Sequence, residues 1–230
     1  MTQRLVIRLI PLEILLLSVL AGFLAVSGIR ALINSNTNVP AAAETAVAGA
    51  ALALSPGGEA EAATALAPIF TPEVRHWAEK IVGWAGLFGV DPNLVATVMQ
   101  IESCGAPGGV SGSGAQGLFQ VMPFHFDAGE NMLDPDTNAA RGVAYLALGL
   151  SRASGNAGLA LAGYNGGHSV IGRDSSLWSA ETQRYWYWGA GIYQDALDGQ
   201  TQSGRLQEWL QAGGASLCGQ ADQQLGLNGG

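Results

Sequence analysis

The stretch Gln100-Ile-Glu102-Ser103-Cys104-Gly-Ala-Pro-Gly-Gly-Val-Ser111-Gly-Ser-Gly-Ala-Gln-Gly117-Leu-Phe-Gln120-Val-Met122-Pro123 decides how this chain is read. Leu94, Val95, Val98, Met99 and Ile101 recur at helical spacing and lead into Glu102. Glycine then occupies positions 105, 108, 109, 112, 114 and 117, so the chain leaves the helix through a loop whose backbone can lie close to a helix end or a ligand. The apolar residues 118–122 return it to a core. Between Asp91 and His125, Glu102 is the one Asp, Glu, Lys, Arg or His. An acid at the end of an apolar helix with no charged sequence neighbour invites desolvation, which disfavours the carboxylate and raises its pKa. A raised carboxyl pKa suits a general acid near neutral pH.

Ser111 and Gln120 add a neutral hydroxyl and amide to the same loop, groups suited to sugar hydroxyls and acetamido groups. These residues alone equally admit a plainer reading, in which Glu102 is a solvated helix-end acid and the loop a linker.

Working outward, the flanking segments are helical. Thr71-Pro72-Glu73 reads as a helix start, with a capping hydroxyl, Pro at the first position and an acid in the first turn. Val74, Trp77, Ala78, Ile81, Val82 and Ala85 continue it at helical spacing to Gly89. Asp91-Pro92 opens the helix that carries Glu102. Residues 125–136 form a polar loop. Its Asp134-x-Asp136-x-Asn138 mimics the opening of a calcium loop, but Ala139 and Tyr145 stand where the turn glycine and closing glutamate belong, so a helix cap is the better account and no metal is expected. Helices follow over 138–153, 156–164 and 177–197. The last contains Tyr185, Trp186, Tyr187 and Trp188, which point all round a helix; two are expected in the core and the others are free to form a sugar platform. A short amphipathic turn at 206–210 precedes a Gly- and Gln-rich tail over 213–230. No alternating run exceeds residues 117–122, so the fold class is mainly α.

Residues 1–30 read as a targeting element. Arg4 and Arg8 precede an apolar run over 14–29, which residues 9–12 extend to near the length of a membrane span, with Glu13 as a blemish. Arginines ahead of the run hold the N-terminus in the cytoplasm and send the rest outward. An uncleaved signal anchor is the preferred reading; the alternative is a signal peptide cut near Ala25-Val26-Ser27, which would release a secreted protein. Residues 31–68 read as a disordered linker rich in Ala, Gly and Pro, and 69–212 as the folded domain. The net charge of −8 argues against nucleic acid, which selects a basic footprint. It also gives no long-range attraction to an anionic wall polymer.

Glu102-Ser103, Ser111, Gly114-Ala115-Gln116-Gly117-Leu118-Phe119-Gln120 and Met122-Pro123 resemble the soluble lytic transglycosylase (SLT) domain, which is lysozyme-like and related to goose-type lysozyme. Asp134-Pro135 with Asn138, Tyr145-Leu146, the segment from Leu159 through Gly163-Tyr164-Asn165-Gly166-Gly167, and Glu181-Thr182-Gln183-Arg184-Tyr185 resemble later segments of that family in the same order. The resemblance covers roughly residues 70 to 197. It implies a lysozyme-like helical domain that cleaves the MurNAc-β-1,4-GlcNAc bond of peptidoglycan glycan strands without water, leaving 1,6-anhydro-muramoyl products and using no cofactor. It implies Glu102 as the catalytic acid and base. It places Ser111, Gln120, Met122, Tyr164, Asn165 and Tyr185 along the substrate cleft, with Glu181 binding substrate or holding Tyr185 or Arg184. Phe119 stands where Met is commoner. Gly163 and Gly166 replace alanines beside Tyr164-Asn165, which is expected to loosen that wall.

Other classes use the same residues differently. A hydrolytic muramidase shares the carboxyl. A cysteine peptidase built on Cys104 with His125 or His168 fits poorly, because Cys104 falls at a helix C-terminus, where the dipole opposes the thiolate. A wall-binding module would not need Glu102. The two cysteines, Cys104 and Cys218, on a chain sent to an oxidising compartment are better read as a disulfide, with His125 and His168 as loop or surface residues. The expected location is the outer face of the cytoplasmic membrane.

Overall fold

The computed structural model describes residues 66–227. The expected anchor over 1–30 and all but the last residues of the expected linker lie outside the described residues. Among the described residues the chain is helical: α1 Pro72–Arg75, α2 Ala78–Phe88, α3 Pro92–Glu102, α4 Pro135–Arg152, α5 Ala157–Gly166, α6 Ala180–Leu197, α7 Gly204–Trp209 and α8 Ala215–Leu225. Extended pairing there is confined to isolated bridges, Val110 with Gln116 and Gln116 with Val121. No single described helix is long and apolar enough to cross a membrane.

α3 is the centre. Asp91 caps it, its carboxylate accepting from the N–H of Asn93 at 2.8 Å and Leu94 at 3.3 Å, with Pro92 at the first helical position. From Leu94 to Ile101 every residue is buried, which a helix tolerates only when packed on all sides. Its buried polar groups are satisfied locally. The Thr97 hydroxyl donates to the Asn93 carbonyl at 2.7 Å, and Gln100 accepts from the Thr71 N–H at 3.2 Å. α2 and α6 pack against α3, α5 lies between α4 and α6, and α7 leans on α6. The helix axis that ends at Glu102 is thereby fixed from several directions.

Several boundaries differ from the sequence expectation; α4 starts at Pro135, three residues before the expected Asn138, and α5 runs on to Gly166. The helix expected to run from Thr71 to Gly89 breaks after α1, because Trp77 turns to donate its indole N–H to the Gly105 carbonyl at 2.9 Å and stacks on Trp84. The Thr71 hydroxyl caps nothing; it sits 3.3 Å from Cys104 Sγ. The folded region already includes Ala67, which is buried and donates its N–H to Asn93 Oδ1 at 2.8 Å. The helix expected from 177 starts at Ala180, where Ser179 Oγ accepts from the Thr182 N–H, after a separate 3-10 turn at Ser175–Leu177. The largest change is at the C-terminus. What reads as a tail from 213 is α8, with Cys218 and Ala221 buried.

The disulfide between Cys104 and Cys218 is present, with Cα atoms 4.9 Å apart. It ties α8 to the residue pair that follows Glu102. Glu73 lies near both sulfurs, but thiols spent in a disulfide leave no thiolate ligands there.

Candidate active site

Glu102 is the last residue of α3, and the loop that leaves it is locked residue by residue. Ser103 Oγ donates to the Leu118 carbonyl at 2.7 Å and accepts from the Gly105 N–H at 3.0 Å. Asn138, buried in the first turn of α4, uses its whole amide on the returning limb. Its Oδ1 accepts from the Phe119 N–H at 2.9 Å, and its Nδ2 donates to the carbonyls of Gln116 at 2.7 Å and Met132 at 2.9 Å. Gly117 makes this approach possible: φ is +72° and a Cβ there would fall 2.5 Å from Asn138 Nδ2. Gln120 follows with φ of +45°, unusual for a residue with a side chain, held by donation from its Nε2 to the carbonyls of Gly117 at 3.0 Å and Gly109 at 3.2 Å.

Two adjoining cavities share Gln120. One, of about 220 Å³, is lined by Glu102, Ser111, Gln120, Leu217 and Gln220 among others. The second, of about 300 Å³, is lined by Met122, Phe124, His125, Tyr145, Tyr164 and Asn165 together with Gln120. The structure therefore brings Glu102, Ser111 and Gln120 into one cavity, and Met122, Tyr164 and Asn165 into its neighbour. Glu181 and Tyr185 line neither.

Tyr185 is buried behind Glu102. Its hydroxyl makes no hydrogen bond of full geometry among the described residues, yet lies close enough to the Glu102 carboxyl to favour the carboxylate. Tyr164 stacks on it at 6.5 Å and is fixed by donating its hydroxyl to the Phe119 carbonyl at 2.8 Å. Burial, and then the charge of Glu102, push both phenols well above their usual range, so both stay neutral donors. Glu102 itself is pushed up to about 8. Burial is the main cause, the Tyr185 hydroxyl opposes it, and the like charge of Glu181, exposed in the first turn of α6, adds to it.

The other acids near the loop are engaged elsewhere. Asp127 and Glu130 pair with Arg141, Asp134 caps α4, and Asp136 meets Lys80 and the Trp84 indole N–H. None lines the Glu102 cavity.

Asn165 is held by Thr182, whose buried hydroxyl donates to Asn165 Oδ1 at 2.9 Å, leaving the amide N–H groups for a ligand. Here the expectation of a loosened wall is corrected. A Cβ on Gly166 would fall 2.7 Å from Thr182 Oγ1, and one on Gly163 would fall 2.8 Å from Ile171 Cδ1. The two glycines admit closer neighbours, so the wall is tight. Gly166→Ala must displace Thr182, a short buried side chain with little room to yield. We expect a loss of about 1–3 kcal/mol, the usual cost of overpacking, measured by denaturant unfolding.

Sequence reasoning missed the far wall of the second cavity. Behind that wall, His168, half-buried in a 3-10 turn at His168–Val170, lies flat on Tyr145 at 4.0 Å, and its Nε2 donates to the Tyr145 carbonyl at 3.1 Å. His125 packs on the same Tyr145 ring at 4.9 Å, and Phe124 follows it at 4.5 Å, 75% exposed. Burial lowers the pKa of both imidazoles. The helical spacing of Gly142 and Tyr145, which puts both on one face of α4, was the available signal. The proposed sugar platform on α6 does not form at either cavity. Trp186 packs edge-on against Trp178 at 6.0 Å, and Tyr187 lies beneath the Arg205 guanidinium at 3.5 Å and donates to Glu208.

The site thus offers a buried, protonatable carboxyl beside neutral hydroxyl and amide groups, with no second acid among the described residues that line its cavity. Residues 80–186 match the family described as "Transglycosylase SLT domain". It is 38% identical over 112 residues to the transglycosylase of Enterobacteria phage PRD1, covering 48% of this chain and 40% of that protein. It is 32% identical over 124 residues to the membrane-bound lytic murein transglycosylase C of Yersinia enterocolitica, covering 44% of this chain and 32% of that protein. The X-ray structure of an inactive mutant of the lytic transglycosylase Slt from Pseudomonas aeruginosa is similar with a TM-score of 0.43 and 26% identity, covering 52% of this chain and 24% of that one. The chain thus spans 40% or less of the length of these curated relatives.

Proposed function

We propose that this chain is a peptidoglycan lytic transglycosylase with a lysozyme-like domain, cleaving the bond between MurNAc and GlcNAc to leave a 1,6-anhydro-muramoyl end. The observation that carries the reading is Glu102: one carboxyl, enclosed, with a pKa pushed up to about 8, and no second acid among the described residues that line its cavity. Most glycosidases set two carboxyl groups across the scissile bond to divide acid and base work. A single group can do both in sequence. Protonated Glu102 gives its proton to the glycosidic oxygen as the C1–O bond breaks, and the sugar's acetamido group stabilises C1. The resulting carboxylate takes the proton of the same sugar's C6 hydroxyl as that oxygen bonds to C1. Glu102 ends protonated and no water is consumed.

In this reading Ser111, Gln120 and Asn165 hydrogen-bond the sugars, Met122 and Tyr164 supply apolar contact, and Tyr185 steadies the carboxylate formed halfway. Glu181 acts at a distance, through its charge. Relatives named as membrane-bound support, at low identity, an enzyme associated with the membrane on the wall side; Arg4, Arg8 and the apolar run after them are the segment we assign to anchoring. The test of the activity is mass spectrometry of muropeptides released from purified wall. Anhydro ends are expected. Reducing ends would make the protein a muramidase, and cleaved stem peptides a peptidase.

The pH profile follows from the same carboxyl. The first step needs Glu102 protonated, so kcat/KM is expected to fall as pH rises through about 8. Tyr185→Phe removes the group that lowers this pKa and should move the limb to higher pH. Glu181→Gln removes the like charge and should move it lower. A limb that neither substitution shifts would separate the profile from Glu102.

A further inference from the structure

We infer that α8 is a wall of the Glu102 cavity and that Gln220 on it is a substrate-contacting residue, hydrogen-bonding an N-acetylhexosamine unit beside the scissile bond. The inference rests on the reading of this cavity as the glycan-cleaving site. It concerns residues outside 80–186, the part matched by the family model.

Three observations place it. First, Leu217 and Gln220 line the cavity with Glu102, Ser111 and Gln120. Second, α8 is fixed over it. Cys218 is bonded to Cys104, Ala221 is fully buried, and Gln224 accepts from the Gly108 N–H at 2.8 Å. Leu217, Gln220 and Gln224 fall at i, i+3 and i+7, so one face of the helix meets the loop that leaves Glu102. Third, Gln224 spends its carbonyl on that loop, whereas Gln220 makes no hydrogen bond within the described residues.

The chemistry of the cavity selects the ligand. Its polar side chains are two amides, hydroxyls and Glu102, without a cation among its lining residues. That set offers nothing to pair with a carboxylate of a peptide stem. It fits a neutral sugar carrying hydroxyls and an acetamido group, which a primary amide can meet as donor and acceptor at once. Leu217, beside it, covers an apolar face of the ring.

Gln220→Ala tests the contact. The side chain is exposed and unbonded within the protein, so folding should not change. On purified wall, KM is expected to rise on the order of fivefold, the size of one neutral hydrogen bond, with kcat nearly unchanged. A change in KM below twofold overturns the assignment. Calorimetric binding of the N-acetylglucosamine tetramer reads the same contact without turnover. Its Kd should rise by a similar factor; an equal Kd, or no binding to either protein, overturns the sugar as occupant. Gln220→Glu tests the placement separately: a second carboxylate in the cavity should shift the alkaline limb of kcat/KM upward, and an unmoved limb puts residue 220 outside it. If the unsubstituted protein binds the tetramer but releases no glycan fragments, the proposed activity fails while the contact still stands or falls on Kd.

Discussion

Glu102→Gln is expected to lower turnover of peptidoglycan by at least the roughly 10²–10⁴-fold ascribed to general acid–base catalysis, and to stabilise the folded protein at neutral pH. Glutamine keeps the shape and hydrogen-bonding capacity but has no proton to give in the first step and no carboxylate to form for the second. The stability effect has the opposite sign to most active-site losses. Glu102 is held at a pKa of about 8 in the fold against an ordinary 4.5, so the folded state binds more protons than the unfolded chain between those pH values. Stability contributed at this position is therefore lost as pH rises from about 4.5 to about 8, and stays lost above. The glutamine variant has no such dependence. Its thermal midpoint should match the unsubstituted protein near pH 4, where both are neutral at this position, and exceed it at pH 8. An active variant, or one equally stable at both pH values, would remove Glu102 from the role given to it here.

The residues that were legible in the sequence lie within short contiguous segments. Glu102 ends α3 and Ser111 and Gln120 lie in the loop after it, while Tyr164 and Asn165 share one helix end; their place along one cleft was implied by the family resemblance of these segments. What stayed hidden depends on contacts between distant segments. Phe124 and His125 come from one segment and Tyr145 from α4, and they form one wall, backed by His168, only after α4 and the loop behind α5 are packed. The break at Trp77 is invisible to periodicity, since it is caused by a hydrogen bond to Gly105 across the fold. Residues 215–225 hold no large apolar side chain besides Leu217 and Leu225, and an isolated helix of that length is marginal in water, so the sequence reads as a tail. The structure stabilises it from outside, through the disulfide and burial of Ala221. The signal for Leu217 and Gln220 was nevertheless available. If Cys218 pairs with Cys104, the neighbours of Cys218 on a helix must lie near Glu102.

Replacing both cysteines by serine is expected to produce the largest loss of stability of any change considered. The bond joins residues 114 apart, and in the chain-entropy model a loop of about 100 residues is worth up to about 4–5 kcal/mol. For a domain of this size that corresponds to a thermal midpoint lower by roughly 8–20 °C. The loss should not be confined to unfolding. Cys104 has φ of +53° in the turn directly after α3, and Gln100 donates to its sulfur at 3.0 Å, so the bridge is part of the structure that ends α3. Without it, α8 keeps the contacts of Ala221 and the Gln224 bond but loses its covalent hold, and Gln220 and Leu217 leave the cavity for a larger fraction of the time. The doubly substituted protein, assayed well below its midpoint, should therefore show a raised KM with kcat changed less. Alkylation of the unreduced, denatured protein should modify neither cysteine. Modification of both, or a midpoint within about 2 °C of the unsubstituted protein, would refute the bridge as the clamp on α8.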